Sequence, residues 1–468
     1  MKPKNIILGL IALIGIFVFS GCEKKEETPM ATNNIVKLAQ TQPNLSSLVA
    51  ALTKYPDLVT TLSGTGKFTV FAPTNDAFTA LLGAIGQTSI NDIPEPVLKS
   101  LLQYHVVTSG AVLSTQLTAG NVATANMENI AVTTSGGIRL NGSAKVLTAD
   151  VMATNGVVHI IDQVLVPPSI SRFVKTVVAP AYFNKNFTTL IAAVTAASPS
   201  ILETLLNSSK KTLFAPNNDA FTAAGITTLP DRATLDAVLT YHVISSQVMA
   251  NELPSNTAPS NTAITTLGGV LYLSNRGSNG VFINGRTRVI ATDIKADNGV
   301  VHVIDRTLLP PSKTIAQIAI QLSTVASGKE FTQLVAALSR VPALLDAASA
   351  PSSNLTVFAP TDAAFNALYT ALGVSGINDI NINTLTAVLK HHIISSPTTA
   401  TGRVFSSDLI TGSVPTLNGN IDISATAGTV TSGNGTVAKI STNALLINVL
   451  GTNGVIHTID KVLLPSGI

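Results

Sequence analysis

The sequence is poor in cysteine, tryptophan and charged residues, and each shortage excludes a class of structure or ligand. Among 468 residues there is one cysteine and no tryptophan, and Asp, Glu, Lys and Arg together make up 11%. A single cysteine cannot form an intramolecular disulfide, so hydrophobic cores must hold the fold together. Apolar residues make up 46% of the chain, enough for several such cores. Aromatic residues, on which sugar sites commonly stack, make up only 4%.

The charge of the chain is nearly balanced. The formal net charge is +3, and it falls further without the first 21 residues, which contain Lys2 and Lys4 and no acid. The remaining basic residues form no block. Binding to nucleic acid by counterion release needs clustered Lys and Arg. We therefore expect no nucleic-acid partner.

The N-terminal residues have the pattern of an export signal. Lys2 and Lys4 precede an apolar run from Ile6 to Phe19, which is followed by Ser20, Gly21 and Cys22. The run is too short for a bilayer-spanning helix, which needs about 20 residues, and it is typical of a secretory signal. Cys22 lies where a bacterial lipoprotein signal places its acylated cysteine. The pattern therefore predicts a signal peptide over 1–21 and attachment to the membrane through lipidation of Cys22.

The residues after Cys22 indicate a tether and a location. The charged run 23–27 resembles the Lys-plus-acidic export tag of some Bacteroidetes lipoproteins on the outer face of the outer membrane. Apolar residues are too sparse to pack before Asn34, so we predict a flexible tether over 22–34. We expect an exported, lipid-anchored protein on the outer membrane facing the cell surface, with the periplasmic face as the alternative.

Three blocks of sequence recur, in the same order, three times along the chain. The first block begins Phe-Ala-Pro, the second contains a His after Tyr or His, and the third begins Asn-Gly-Val. They occupy 71–78, 214–221 and 358–365; 102–107, 239–244 and 389–394; and 155–162, 298–305 and 453–460. The repeat of about 144 residues has the size of an independent domain. The chain is therefore three copies of one module.

These blocks resemble the fasciclin-like (FAS1) domain family, in the form of a bacterial lipoprotein with three tandem domains. The first and third blocks resemble the two signature boxes of the family, and the second resembles its Tyr-His motif. We place the modules at 35–168, 171–311 and 314–466. The resemblance implies an α+β fold in which helices pack on a wedge of two β-sheets in each module. Because the linkers at 169–171 and 312–313 are short, we expect neighbouring modules to touch.

The pattern within a module agrees with helices first and short strands later. Apolar spacing predicts two helices broken near Pro43, and a strand over 68–71 that is ended by Pro73. A helix over Pro96–Tyr104 follows, and Asn141-Gly142 is a hairpin dipeptide. In the first block, Thr74, Asn75 and Asp76 are predicted to supply the cap and first-turn residues of a helix, with Asp76 and Asp219 as caps and Asp362 as a shifted cap in the third module.

Six of the seven histidines occupy two equivalent places in each module. Each third-block histidine is followed three residues later by an aspartate, so a metal pair or a general base is one hypothesis. However, His159 has apolar neighbours on both strand faces, and residues at i and i+3 of a strand point to opposite faces. We therefore predict buried imidazoles bonded to the backbone, with no catalytic residue, no metal and no cofactor. The histidine and aspartate pairs are His159 with Asp162, His302 with Asp305, and His457 with Asp460.

The FAS1 resemblance also implies candidate partner-binding residues. In animal members the Tyr-His motif and an Asp-Ile pair are implicated in receptor adhesion, and the third module departs at both places, with His391-His392 and Asn448-Val449. An alternative for the tyrosines is a core position with a bonded hydroxyl. The candidate partner-binding residues are Tyr104, His105, Asp150, Tyr241, His242 and Asp293.

Three functional hypotheses follow. The first is a non-enzymatic, lipid-anchored adhesion protein that makes weak multivalent contacts with matrix, cell or glycan. The second is a lipoprotein that captures polysaccharide for a surface uptake system, which the absence of tryptophan disfavours. The third is a hydrolase that uses the His/Asp pairs. The expected partners are the membrane, through Cys22, and an extracellular protein or polysaccharide.

Overall fold

A computed structural model describes residues 31–255, 258, 260–326, 328–394, 402–443 and 446–468. The predicted signal peptide, Cys22 and all but the last four residues of the predicted tether lie outside the described residues. None of the helices among the described residues combines the length and the apolar composition of a membrane span.

The first module begins with helices and ends with strands. Its helices are α1 Ile35–Gln40, α2 Ser46–Leu52, α3 Pro56–Ser63, α4 Asn75–Ala84 and α5 Glu95–Tyr104. Its strands are β1 Phe68–Pro73, β2 Val106–Val107, β3 Gly120–Ala123, β4 Asn129–Thr133, β5 Arg139–Leu140, β6 Ala144–Ala153 and β7 Gly156–Ile161. The strand order is β2-β1-β7-β6-β5-β4-β3, and β1 and β7 are parallel neighbours.

The second module repeats this arrangement after a helical linker. Its helices are α6 Pro168–Ser171, α7 Ala179–Tyr182, α8 Thr188–Ala196, α9 Pro199–Leu206, α10 Asn218–Ala223 and α11 Arg232–Tyr241. Its strands are β8 Lys211–Pro216, β9 Val243–Ile244, β10 Thr262–Thr266, β11 Gly269–Asn275, β12 Val281–Ile283, β13 Thr287–Ala296 and β14 Gly299–Ile304. The linker predicted at 169–171 therefore belongs to helix α6.

The third module has the same helices but a divided sheet. Its helices are α12 Ile315–Thr324, α13 Thr332–Ser339, α14 Pro342–Ser349, α15 Asp362–Leu372 and α16 Ile382–His391. Its strands are β15 Leu355–Pro360, β16 Gly412–Pro415, β17 Asn420–Ser424, β18 Thr429–Thr431, β19 Val437–Lys439, β20 Val449–Gly451 and β21 Gly454–Ile459. They form one sheet ordered β15-β21-β20 and a second ordered β16-β17-β18-β19.

The wedge in the first module arises at strand β6. The start of β6 pairs with β5 and its end pairs with β7, with a register shift between Thr148 and Val151. Asp150, within the shift, has a φ of 59°, and such a bulge bends a strand. One core lies between the helices and the sheet, and a second lies inside the wedge around Phe71, Ile130 and Ile161. The predicted α+β fold with helices on a two-sheet wedge is confirmed.

Several local predictions are confirmed and others need correction. Asn141 and Gly142 have φ values of 48° and 79°, as a hairpin turn of this type requires. Two helices flank Pro43 as predicted, but a third, α3, was missed. It begins with Pro56, which is preorganised for the first helical position. The predicted strand end at Phe71 is two residues early, because β1 includes Pro73.

The predicted caps Asp76 and Asp219 are wrong in detail. The N-cap of α4 is Thr74, whose Oγ1 accepts from Ala77 N at 3.3 Å, and Asp76 lies in the first turn. Asn217 and Thr361 have the same capping role in α10 and α15. The sequence pattern could not distinguish these positions, because Thr, Asn and Asp are all favourable at a cap.

Asp362 is not a shifted cap of its own helix. Its carboxylate accepts from Gln333 N at 2.8 Å and from Thr332 Oγ1 at 2.6 Å, at the start of α13. Asn75 holds α2 in the same way, accepting from Ser47 N at 2.9 Å. Asp362 therefore replaces an asparagine that joins two helices, and this contact between distant segments is invisible in local sequence.

Candidate functional site

The loop that follows β2, residues 108–119, crosses the module and is held by side chains from three strands. Thr69 Oγ1 donates to Gly110 O at 2.7 Å and accepts from Val112 N at 2.8 Å. The His159 Nε2 lies 3.0 Å from Val112 O. These side chains satisfy backbone groups of a loop that has no ladder partner, so they fix its course.

Asp150 fixes the next part of this crossing loop. Its carboxylate accepts from Ser114 N at 2.7 Å and from the Ser114 hydroxyl. Its own backbone N donates to His159 Nδ1 at 3.3 Å. The positive φ of Asp150 aims the carboxylate at the loop, and Asp is one of the residues that adopts this conformation with least strain.

The same set of contacts recurs in the other modules. In the second module, the loop residue Val248 is bonded to Thr212 and His302, and Ala250 is bonded to Asp293, all at 2.8–2.9 Å. In the third module Thr356, His457 and Asn448 hold Val404 and Ser406, at 2.8–3.0 Å. We call each set of three side chains, from Thr, His and Asp or Asn, the loop clamp.

The loop-clamp histidines are packing groups whose ring nitrogens face the backbone. His159 is fully buried and stacks on Phe71, with ring centroids 5.5 Å apart. Because Val112 O can only accept, Nε2 carries the proton and Nδ1 accepts from Asp150. His302 has the same partners in its module. The predicted burial and backbone bonding of these imidazoles are confirmed.

The aspartates of the proposed His/Asp pairs bind elsewhere. Asp162 Oδ1 accepts from Lys145 N at 2.7 Å, which ties the end of β7 to β6. Asp305 and Asp460 make the equivalent bonds to Arg288 N and Lys439 N, each at 2.7 Å. Among the described residues there is no group of three or more His, Cys, Asp or Glu side chains that could hold a metal.

The second histidine position that recurs in each module is also closed to solvent. His105 Nδ1 lies 2.7 Å from Leu101 O, and its Nε2 accepts from Leu165 N at 2.8 Å. His242 and His392 bridge the same two segments in their modules. Burial lowers the pKa of each of these three imidazoles to about 4, although the bond to a carbonyl opposes the shift. They are therefore neutral at ordinary pH.

Tyr104 and Tyr241 lie in the core with bonded hydroxyls. The Tyr104 hydroxyl donates to Asn129 O at 2.7 Å, and the Tyr241 hydroxyl donates to Val270 O at 2.8 Å. In the third module His391 takes this place, with Nδ1 2.6 Å from Asn418 O. The His391 imidazole replaces the tyrosine hydroxyl as the donor to a backbone carbonyl of the equivalent hairpin. The departure of the third module from Tyr-His is thus structurally conservative.

The six candidate partner-binding residues divide into buried and accessible groups. Tyr104, His105, Tyr241 and His242 are all buried. Asp150 and Asp293 are partly exposed beside the crossing loop, and the Asp150 side chain is 36% exposed. Contact of these residues with a partner stays a prediction, and only the two aspartates offer it a charged surface.

Neighbouring modules touch, as the short linkers predict. Gln87 Nε2 donates to Pro180 O at 3.0 Å, and its Oε1 accepts from Asn184 Nδ2 at 3.0 Å, so the first two modules share a polar contact beside a common hydrophobic core. Between the second and third modules, the Asn284-Gly285 hairpin turn lies against Phe405, and Asn448 Nδ2 donates to Gly285 O at 3.1 Å.

The Asn-Gly pair of the third block has a role that the sequence did not reveal. Asn155 Oδ1 accepts from Ile35 N at 3.0 Å, and its Nδ2 donates to Leu62 O and Gly64 O, both at 2.8 Å. The side chain therefore joins the first helix of the module to the end of α3. The recurrence of this asparagine at 298 and 453 was the only sign of its role in the sequence. Its hydrogen-bond partners lie about 90–120 positions away along the chain, so the sequence does not identify them.

Comparison with known proteins assigns the family. The Fasciclin domain model matches residues 43–167, 185–310 and 329–465. The chain therefore belongs to the fasciclin (FAS1) domain family, and the resemblance found in the sequence is confirmed.

The chain is similar to animal and bacterial proteins. It is 29% identical to transforming growth factor-beta-induced protein ig-h3 of Sus scrofa, over 71% of this chain and 45% of that protein. It is 42% identical to protein sll1483 of Synechocystis over 29% of this chain and 73% of that protein. It is 27% identical to human periostin over 65% of this chain and 35% of that protein. The chain thus spans less than half the length of both animal relatives.

Among solved structures, the chain is similar to a FAS1 domain pair from the insect cell adhesion molecule fasciclin I. That similarity covers 60% of this chain and 97% of the other, with 19% sequence identity and a TM-score of 0.28.

Proposed function

We propose that this protein is an exported, lipid-anchored and non-enzymatic surface protein whose FAS1 modules bind an extracellular partner through weak, multivalent contacts. The observation that carries the proposal is the loop clamp, repeated in all three modules. In each copy the histidine of the third sequence block, a residue type suited to acid–base chemistry, is committed to holding a loop. A fixed, repeated loop suits recognition, because a preorganised surface loses less entropy when it binds.

Three linked copies favour avidity. Linked weak sites can raise affinity by about 10²–10⁴ over a single site, provided that the geometry allows simultaneous contact. The direct contacts between neighbouring modules restrict their relative positions. That restriction supports simultaneous contact with a repetitive surface such as a matrix or a neighbouring cell.

The anchor is proposed from sequence. One acyl chain holds a protein only marginally, whereas two or more anchor it stably, and a bacterial lipoprotein cysteine carries two or three. The test is metabolic labelling with radioactive palmitate in wild type and Cys22→Ala. We expect label in the wild type alone, and label in both proteins would contradict an anchor at Cys22. Protease shaving of intact cells then tests the outward orientation, because modules that face the periplasm are protected.

Multivalency is testable on the full chain, which is preferable because the first two modules share a core. Purified protein, rather than cells that carry many copies of it, is applied to surfaces coated with serial dilutions of a basement-membrane extract. Multivalent binding predicts that detachment slows steeply as the coating becomes denser. Detachment that does not depend on coating density would remove the avidity argument. A glycan array in parallel tests the polysaccharide alternative.

The surface aspartates provide the residue-level test. Asp150→Asn and Asp293→Asn introduce the residue that the third module has at position 448, where Asn448 Oδ1 still accepts from the loop at 2.8 Å. The loop clamp is thus kept while the charge is removed. We expect a few-fold weaker attachment for each variant and a larger loss for the double variant. Unchanged attachment of the double variant would exclude these aspartates from the contact.

A further inference from the structure

A cleft of about 730 Å³ lies where the second and third modules meet. Its walls are the end of α10, the hairpin turn at 284–287, the segment 306–313, and residues of α12 and β20. Clefts of about 300–1,000 Å³ at domain boundaries are common ligand sites. The cleft adjoins a direct contact between the two modules, because Gly285, in the turn that forms one wall, packs on Phe405 of the third module.

The cleft has one cationic wall. Arg286, Arg306 and Lys313 line it, and the lining that the structure describes contains no Asp or Glu side chain. Burial lowers the pKa of the Arg286 guanidinium, the charge on Arg306 lowers it further, and Asp305 raises it. A carboxylate bound in this partly buried place would reduce the repulsion between the two guanidinium groups.

The rest of the lining indicates what else the ligand carries. Leu309, Ile318 and Leu450 supply an aliphatic floor, while Asn284 and Gln321 supply amide groups.

We propose that this cleft binds an extended acidic peptide segment, with its carboxylates on Arg286 and Arg306 and its apolar side chains on the aliphatic floor. Arginine binds carboxylates through paired hydrogen bonds, and side chains of an extended peptide alternate between two faces. An acidic sugar is less favoured, because no aromatic ring lines the described part of the cleft. The inference goes beyond the multivalent adhesion proposed above, since it concerns one site that is not repeated.

The first module supplies a natural control for the arginine pair. At the positions equivalent to Arg286 and Arg306 it has Ser143 and Gln163, and the Ser143 hydroxyl donates to Gln163 Oε1 at 2.9 Å. The fold therefore accepts this neutral pair at the same place. Arg286→Ser with Arg306→Gln removes the cationic wall by a replacement that the chain already contains.

The experiment uses the purified full-length protein and a fluorescein-labelled nonapeptide that alternates Glu and Leu. We expect fluorescence polarisation to show micromolar binding that weakens as NaCl rises from 50 to 500 mM. The Arg286→Ser/Arg306→Gln variant should bind at least tenfold more weakly. A control variant, Lys54→Gln/Lys67→Gln, loses the same charge at exposed positions of the first module and should bind like the wild type. Circular dichroism and the thermal midpoint check that both variants fold.

Three outcomes would overturn the inference. The first is no binding of the peptide to the wild type, and the second is equal binding by the two double variants. The third is tighter binding of an oligogalacturonate of equal charge that depends on the same arginines, which would assign the cleft to an acidic sugar instead. None of these results depends on attachment to matrix, so they are distinct from failure of the proposed adhesion.

Discussion

Arg276 Nη2 of the second module donates to Asp408 Oδ1 of the third at 2.7 Å, and the Asp408 side chain is fully buried. The carboxylate also accepts from Asn261 Nδ2 at 2.7 Å and from Ser274 Oγ at 2.6 Å, both in the second module. One acid of the third module is thus surrounded by donors of the second. A buried charge is tolerated when its partners are complete, so these contacts select one arrangement of the two modules.

The first prediction concerns this ion pair. Asp408→Ala leaves the Arg276 guanidinium without its carboxylate in a site that is almost closed to water. We expect a loss of about 3–5 kcal/mol in the free energy of unfolding, as for other buried pairs that lose one partner. The measurement is urea unfolding followed by circular dichroism, with the midpoint moved to lower urea.

An exposed pair in the first module is the matched control. Lys99 Nζ lies 2.7 Å from Asp57 Oδ2, but these side chains are 38% and 60% exposed. Because exposed pairs contribute little, Asp57→Ala should leave the urea midpoint almost unchanged. If the two aspartate variants unfold at the same urea concentration, the Asp408 contact does not stabilise the boundary.

The sequence predicted most of what lies within a module and little of what joins modules. Hairpin dipeptides, helical periodicity and an apolar setting such as that of His159 depend on near neighbours, so they can be recognised locally. The Arg276–Asp408 pair spans 132 positions, and no local pattern specifies it. The loop clamp was only partly predictable from the sequence. Its members recur in every copy, but only the bulge at Asp150 brings that side chain to the crossing loop.

The second prediction concerns pH. The pKa of His105, His242 and His392 is about 4 in the folded protein because of burial, against an ordinary value of 6.5. Between these values the unfolded chain binds more protons, so stability is fully present above pH 6.5 and is lost as pH falls toward 4. Each imidazole should contribute about 3 kcal/mol to this loss. Urea midpoints at pH 7.5, 6.0, 5.0 and 4.5 measure it.

Protonation of the histidines and protonation of the carboxylates destabilise the fold in different pH ranges. The pKa values of Asp150 and Asp236 are both lowered from 3.8. For Asp150, burial raises the pKa, but bonds from Ser114 lower it. For Asp236, the bond from the Ser198 hydroxyl is the main cause of the lower pKa. Their protonation destabilises the fold only below about pH 4. A urea midpoint that stays constant from pH 7.5 to 4.5 would therefore contradict the histidine assignment.

The third prediction concerns the glycine of the third sequence block. A Cβ at Gly156 would lie 2.2 Å from Phe68 O, and one at Gly299 would lie 2.0 Å from Lys211 O. The parallel strands β1 and β7 would have to move apart at their first pair. We expect Gly156→Ala to cost about 1–3 kcal/mol or more, measured by thermal or urea unfolding.

A helical glycine in the same module tests whether this cost is specific to the site of Gly156, where a φ of 157° adds to the close approach. Gly83 is exposed within α4 and a Cβ there would meet no atom within 4 Å. Gly83→Ala should stabilise the protein by about 0.5–1 kcal/mol, since glycine is a poor helix former. Destabilisation of similar size at both positions would indicate that contact with Phe68 O is not the cause of the cost at Gly156.

The fourth prediction concerns Asp362, which holds the start of α13 through Thr332 and Gln333. Asp362→Ala leaves the Gln333 amide without its acceptor, and loss of such a cap typically costs about 0.5–2 kcal/mol. Asp362→Asn keeps an acceptor oxygen and reproduces Asn75 of the first module, which bonds Ser47 N at 2.9 Å. We expect Asp362→Asn to unfold close to the wild type and Asp362→Ala at lower urea. If Asp362→Asn loses as much stability as Asp362→Ala, the negative charge at the helix start, rather than the hydrogen bond, stabilises this junction.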